Sequence, residues 1–221
     1  MLLCSYIKTL TILKMATFLR PLSYQYPWLY NTISRVSALA VGGEKRFRSL
    51  CLEGIKINSD SKILDLCCGS GQTTQFLVQK SSQVTGLDAS PKAIERAKIG
   101  VPQANYVNAL AEKIPFPEQE FDLVHSSVAL HEMETEQLRE IIKEVYRILK
   151  PGGLFAFIDL HKPTNFLSWP SLATFMWLFE TETAWELLET DVIDELKNLG
   201  FNECQQKLYA GGSLQVIQAK K

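Results

Sequence analysis

Between residue 62 and the C-terminus, short apolar runs alternate with segments whose apolar residues recur every three or four positions. The first pattern is that of buried strands, the second that of helices with one face on a core. Strands are expected at residues 62–66 (KILDL), 83–88 (QVTGLD), 105–109 (NYVNA), 121–127 (FDLVHSS) and 154–160 (LFAFIDL). Leu138, Ile141, Ile142, Val145, Ile148 and Leu149 share one helical face, with Glu134 and Glu136 in front and Arg147 and Lys150 behind, matching the helix dipole. Pro151, Gly152 and Gly153 stop that helix. Shorter helices are expected at residues 72–79 and 91–98, the latter with Ser90 as N-cap and Pro91 as its first residue. After an aromatic stretch, residues 185–198 form another helix, and residues 203–210 and 213–220 make a strand pair across Gly211 and Gly212. The alternation predicts an open α/β sheet, mostly parallel with an antiparallel C-terminal strand and helices on both faces.

The 221 residues suffice for one sizeable core. Residues 1–14 are expected to be a disordered or artefactual extension ahead of a start at Met15, residues 15–60 an N-terminal helical cap, and residues 61–221 the main domain, with an aromatic insert at 162–184. A net charge of -1 with both signs evenly spread offers no field for nucleic acid, so a small or neutral substrate fits better and no protein partner is predicted. The five cysteines have neither CxxC nor Cys/His ligand spacing, and His125, His131 and His161 lack the HExxH pattern, so no metal is expected. Adjacent Cys67 and Cys68 suit reduced residues at a strand end in a reducing compartment. No uncharged apolar run reaches the roughly 20 residues of a spanning helix. The basic start of the chain is only weakly like a transit peptide; the expected location is the cytoplasm, with an organelle as the alternative.

The run ILDLCCGSGQTT carries the chemistry. In an open α/β sheet, ligands bind beyond the carboxyl ends of the strands, where strand order reverses. Gly69, Ser70 and Gly71 lie there with little side chain, so the backbone itself can touch a ligand. About 20 residues on, Asp88 ends the second strand, where a carboxylate accepts both hydroxyls of a ribose. Together they imply an adenosine-containing cofactor. Thr74 stands where a dinucleotide fingerprint has its third glycine, and no GxxxxGK[ST] triphosphate loop is present. Asp65, just before the bend, would repel a pyrophosphate and attract a cation, which suits a sulfonium with an amino acid tail.

These residues resemble the class I S-adenosylmethionine-dependent methyltransferases, Rossmann-like enzymes, in the broad group that includes the ubiquinone and menaquinone biosynthesis C-methyltransferases. The similarity spans residues 61–156, with a weaker echo in the final strand pair. LDLCCGSGQTT resembles the first motif, implying that Asp65 faces the methionine end and that Gly69 and Gly71 line the cofactor; Gly69, Gly71 and Thr73 match its GxGxT form. GLDAS resembles the second, giving Asp88 the ribose diol and packing Ala89 on the adenine. ALAEKIPFPEQEFDLVHSS resembles the third and fourth, implying Leu110 and Ala111 at the adenine rim and Ser126 at the methionine side. RILKPGG resembles the turn before the fifth strand. The family usually has Asp where Leu110 stands, so only a backbone contact from Ala111 to the adenine amino group is expected here.

Methyl transfer asks the protein chiefly to align the acceptor and exclude water. If a proton must leave, His131 is the candidate base, its competing reading being a structural histidine. Asp159 and His161 follow the fifth strand, either toward the crevice or as loop anchors. Phe166, Trp169, Phe175, Trp177 and Phe179 of the insert line an apolar pocket or pack an extra helix. Peripheral contact with a membrane is a third reading, which Glu180 and Glu182 oppose for anionic lipid. Tyr24, Tyr26, Trp28 and Tyr30 form an aromatic cap or a plain covering helix. The expected activity is methyl transfer from S-adenosylmethionine to a small aromatic or lipophilic acceptor, quinone-like or phenolic. The alternatives are a non-catalytic cofactor-binding sensor or partner subunit of the same fold, and a nicotinamide oxidoreductase, which Thr74 disfavours.

Overall fold

The structure, a computed structural model, describes residues 32, 35, 38–179 and 182–221. The expected extension at residues 1–14 and the aromatic cap of Tyr24, Tyr26, Trp28 and Tyr30 lie outside them. Seven strands form one sheet among the described residues: β1 (Lys62–Leu66), β2 (Gln83–Asp88), β3 (Asn105–Asn108), β4 (Phe121–Ser127), β5 (Leu149–Leu160), β6 (Asn202–Tyr209) and β7 (Leu214–Lys220). Their order is β3-β2-β1-β4-β5-β7-β6. All pairs are parallel except those of β7, which runs antiparallel to both β5 and β6. The order reverses between β1 and β4, so a crevice opens beyond their carboxyl ends.

The helices whose bounds lie among the described residues are α1 (Glu44–Ser49), α2 (Thr74–Leu77), α3 (Pro91–Gly100), α4 (Thr135–Ile148), α5 (Trp169–Phe179), α6 (Glu182–Glu189) and α7 (Val192–Asn198). Side chains alternate across the sheet, and the two faces build two cores. Leu64, Leu66, Val124, Phe155 and Phe157 meet α4 and α7 through Ile141, Ile142, Val145 and Leu196. Ile63, Leu123, Ala156 and Ile158 face the other way, onto Phe47, Leu50, Cys51, Leu52 and Leu77. Ser90 caps α3 by accepting the Ala93 N–H at 3.3 Å, with Pro91 at its first position.

Three elements differ from the sequence expectation. The first helix after β1 is a single turn, because the chain folds back within a few residues to β2, pinned by the Ser81 hydroxyl on the Ser61 carbonyl. The long helix 185–198 is two helices: the Thr190 hydroxyl closes α6 on Glu186, and the Asp191 carboxylate caps the new start at Asp194. Strand β5 begins before the Pro-Gly-Gly turn, since Leu149 already pairs with Phe121, and regular pairing resumes at Leu123 with Leu154. Between these pairs the chain bulges, and a Cβ at Gly153 would meet the Lys150 and Phe121 carbonyls at 2.9 and 3.2 Å.

Gly86, in the middle of β2, sits where the first loop and β3 close on the sheet. A Cβ there would lie 2.8 Å from the Tyr106 ring and 2.9 Å from Cys68 Sγ. Gly86→Ala is therefore expected to destabilise the protein by about 1 to 3 kcal/mol. Urea denaturation of the two proteins checks this; an equal midpoint and slope would contradict the packing described.

Candidate active site

Three aspartates reach the carboxyl ends of the strands, each in a different environment. Asp65 on β1 is buried, and both of its oxygens are occupied: Oδ2 accepts the Thr74 hydroxyl at 2.6 Å and Oδ1 lies 2.8 Å from His125 Nδ1. Its carboxylate faces the core beneath the bend, not the open crevice expected of it. Asp88, at the end of β2, is half-buried; Oδ2 accepts the Gly69 N–H at 2.9 Å and Oδ1 the Ser90 N–H at 2.8 Å. An ionised carboxylate has roughly four acceptor sites, so two remain for a ligand. Asp159 on β5 is completely buried and holds the loop after β4: Oδ2 accepts the N–H groups of Ala129, Leu130 and His131 at 3.2, 2.8 and 3.3 Å. Its Oδ1 accepts the Leu160 N–H and stands 2.6 Å from His131 Nδ1.

The bend itself needs positive φ at Gly69 (+55°) and Gly71 (+84°). The two glycines do different work. A Cβ on Gly69 would touch only the end of Gln72, whereas one on Gly71 would press on Val101, Ala97 and Tyr106 at 3.3 to 3.5 Å. Gly69 borders open space; Gly71 and buried Thr73 pack the loop onto α3 and the sheet. The first left-handed residue comes two positions before the glycines, at Cys67 with φ of +56°, a conformation that strains a side-chain-bearing residue. Burial and then the surrounding Asp88, Glu132, Asp65 and Glu112 carboxylates push the Cys67 thiol well up, so it stays protonated and is no nucleophile.

Across the mouth, Ala89 is exposed, Leu110 is 53% exposed and Ala111 is buried. The loop that carries Leu110 and Ala111 is braced from α4: Glu144 accepts the Ile114 N–H at 2.9 Å, and Arg147 donates to the Ile114 and Phe116 carbonyls. Arg147 beside it, offset by burial, holds the Glu144 carboxyl below its ordinary range. Ser70 is half-buried at the loop tip, and Ser126 at the end of β4 is fully buried with its hydroxyl lacking any hydrogen-bond partner.

The insert lies over the ends of β4 and β5. Leu172 and Met176 of α5 pack with Leu160, Ala184 and Leu188, and α6 contacts the turn holding His131. Trp169, Phe175 and Trp177 are half-buried, but Phe166 is 83% exposed. His161 is spent on the β6–β7 connection, its Nδ1 2.8 Å from the Gly212 carbonyl. Tyr26 and Trp28 lie outside the described residues. Among the described residues no cluster of three or more His, Cys, Asp or Glu could hold a metal.

Two residues escaped sequence reasoning. His125 is completely buried between Asp65 and Cys51, its Nε2 3.1 Å from Cys51 Sγ. The signal was the parallel register of β1 and β4, which sets Asp65 beside His125. Arg48 of α1 is buried and donates to the Ser127 hydroxyl at 3.2 Å; in the sequence it is one of several charges in EKRFRS and carries no signal of its own.

A glycine-cornered loop after β1, a carboxylate ending β2 and a parallel sheet closed by an antiparallel hairpin define the fold of class I methyltransferases. Residues 63–153 match the family described as a methyltransferase domain. A protein of Synechocystis sp. named as an uncharacterized methyltransferase is 61% identical, over 93% of this chain and 97% of its own. The 2-phytyl-1,4-naphthoquinone methyltransferase of Nostoc punctiforme is 28% identical over 64% of this chain and 63% of its own. Among solved structures, a SAM-dependent methyltransferase of Archaeoglobus fulgidus superposes with a TM-score of 0.67 at 16% identity, covering 89% of this chain and 100% of that one. The chain belongs to the class I S-adenosylmethionine-dependent methyltransferases, and S-adenosylmethionine is its cofactor. The partnerless Ser126 hydroxyl and the open space beside Gly69 fit a polar ligand of this kind.

Burial alone would push the His125 imidazole down, but the Cys51 sulfur and the Asp65 carboxylate outweigh it and raise it to about 10. A raised folded-state value means stability fully present below the unfolded value of about 6.5 and lost as pH rises through about 10. Between pH 7 and about 7.5, a full unit below the ordinary cysteine value of about 8.5, unfolding free energy is expected to fall with a slope of up to about 1.4 kcal/mol per pH unit. Chemical denaturation across that range checks it against His125→Gln, which should lack the slope; equal slopes would remove the histidine from the account.

Proposed function

We propose that the protein methylates a small lipophilic ring compound, quinone-like or phenolic, with His131 as the general base. When bound, S-adenosylmethionine supplies a methyl group activated on a sulfonium. On this reading Asp88 takes the ribose diol with its two remaining acceptor sites, while the backbone of Gly69 and Ser70 follows the cofactor. Ala89, Leu110 and Ala111 border the adenine, and Ser126 meets the methionine side. Thr73, Gly71 and Asp65 keep the bend in shape from behind.

The observation that carries the base assignment is the 2.6 Å contact of His131 Nδ1 with Asp159, at the crevice end of β4 and β5. With Nδ1–H donated to that carboxylate, Nε2 keeps the lone pair and can remove a proton from an acceptor hydroxyl or activated ring carbon. Asp159, whose oxygens are already filled by backbone donors, orients the histidine and does not bind the acceptor. The apolar insert over the same turn favours a lipophilic acceptor, as does the likeness to a protein named for a phytyl naphthoquinone. A small-molecule acceptor handled inside the cell remains part of this proposal.

Incubation with methyl-labelled cofactor and a lipid-soluble metabolite extract should yield a labelled ring product by mass spectrometry; label found only in polar or macromolecular fractions would refute the acceptor class. His131→Gln is expected to lower kcat by roughly 100- to 10,000-fold while S-adenosylhomocysteine binding persists. Retained turnover would make the histidine structural. Asp88→Ala should weaken S-adenosylhomocysteine binding by about 1.5 to 3 kcal/mol, roughly 10- to 150-fold by calorimetry. Unchanged affinity would count against the ribose assignment.

A further inference from the structure

Large apolar side chains left singly on a surface are ordinary; neighbours standing clear of it together are not. Among the described residues, Phe166 and Leu167 are the one adjacent pair of exposed large apolar side chains, at 83% and 82%. With so little cover they form a convex point. That point is held in place from below. Asn165 accepts the Leu167 N–H on its side chain at 3.0 Å and donates its own backbone N–H to the Gly211 carbonyl at 3.0 Å, where the Thr164 hydroxyl also donates at 3.4 Å. Gly212 leaves no room for a Cβ against Thr164. Strand β5 ends at Leu160, which pairs with Leu214 at the start of β7, so the turn at Gly211 and Gly212 and the tip bonded to it lie at the carboxyl end of β5. The crevice opens at that same end, where Asp159 of β5 holds His131.

The chemistry around the tip says what it meets. Residues 163–179 (PTNFLSWPSLATFMWLF) contain no charged residue, so the tip can leave water without burying a charge. Exposed Pro170 and half-buried Trp169 follow directly, and tryptophan suits the boundary between water and lipid. Lys162, just before that run, is already paired with Glu189 at 2.8 Å, while Glu182 and Glu186 of α6 disfavour an anionic surface. A stable protein interface needs a broad complementary patch, whereas two side chains on a point suit insertion among lipid headgroups. We propose that Phe166 and Leu167 are a membrane-docking tip that enters the surface of a zwitterionic bilayer. The choice of a bilayer rests in part on the lipophilic acceptor proposed above, which partitions into lipid. Docking brings the crevice to where such an acceptor is dissolved.

The test is sedimentation of the full chain with phosphatidylcholine vesicles, with no acceptor added. The protein is expected to pellet with the vesicles, and the double variant Phe166→Ser, Leu167→Ser to lose that partition roughly tenfold or more. Equal urea midpoints for the two proteins report an intact fold. If the double variant does not fold, Leu167→Asp sets a charge at the tip, and the same loss is expected. A wild-type protein that stays in solution, one that pellets only with vesicles containing phosphatidylglycerol, or variants that pellet equally overturn the docking tip. The tip and the acceptor class fail separately. Vesicle binding that depends on Phe166 and Leu167, with methyl label only in polar products, supports the tip and refutes the acceptor; a labelled lipid-soluble product without vesicle binding refutes the tip and leaves the acceptor standing.

Discussion

The Asp88 carboxylate joins the end of β2 to the bend after β1 by accepting the Gly69 and Ser90 N–H groups at 2.9 and 2.8 Å. Together with the Cys68 N–H on the Leu87 carbonyl at 3.0 Å, this ties two neighbouring parallel strands together where the regular pairing of the sheet ends. The bend needs that hold, because it begins with Cys67 in a left-handed conformation and continues through two glycines of positive φ. Being half-buried, the carboxylate keeps part of its acceptor capacity open to the crevice. On the proposed cofactor placement, structure and ligand recognition draw on the same group.

Charge and burial sort the three strand-end aspartates into different tasks. Asp65 and Asp159 are buried with a partner on each oxygen, Thr74 and His125 for the first, a turn of backbone and His131 for the second. Each holds a histidine: Asp65 ties β1 to β4 inside the sheet, and Asp159 holds His131 at the edge of the crevice. The same pair of side chains is a strut in one place and a candidate proton acceptor in the other, and their distance from the crevice makes the difference. The insert, packed through Leu172 and Met176 on Leu160, screens the second pair from water.

Most of the sheet was legible because its strands are short apolar runs separated by helical patterns, and the Ser90-Pro91 helix start announced itself through local chemistry. The break in the 185–198 segment was also written locally, in Thr190 and Asp191, yet helical periodicity on either side concealed it. Residues that work through distant partners were harder. The inward turn of Asp65 depends on His125, 60 positions away, and on Cys51 beyond it. Arg48 reads as one more charge in a basic helix until the fold carries it to Ser127, 79 positions on. A motif identifies which residues meet a ligand's chemistry, but only the register of neighbouring strands shows which of them face it.

A crystal structure with S-adenosylhomocysteine tests the account most directly. It should place both ribose hydroxyls on the Asp88 carboxylate and the thioether above the Gly69 bend, on the side toward His131. A nucleoside lodged elsewhere on the chain, or bound at this crevice with its ribose turned from Asp88, would contradict it.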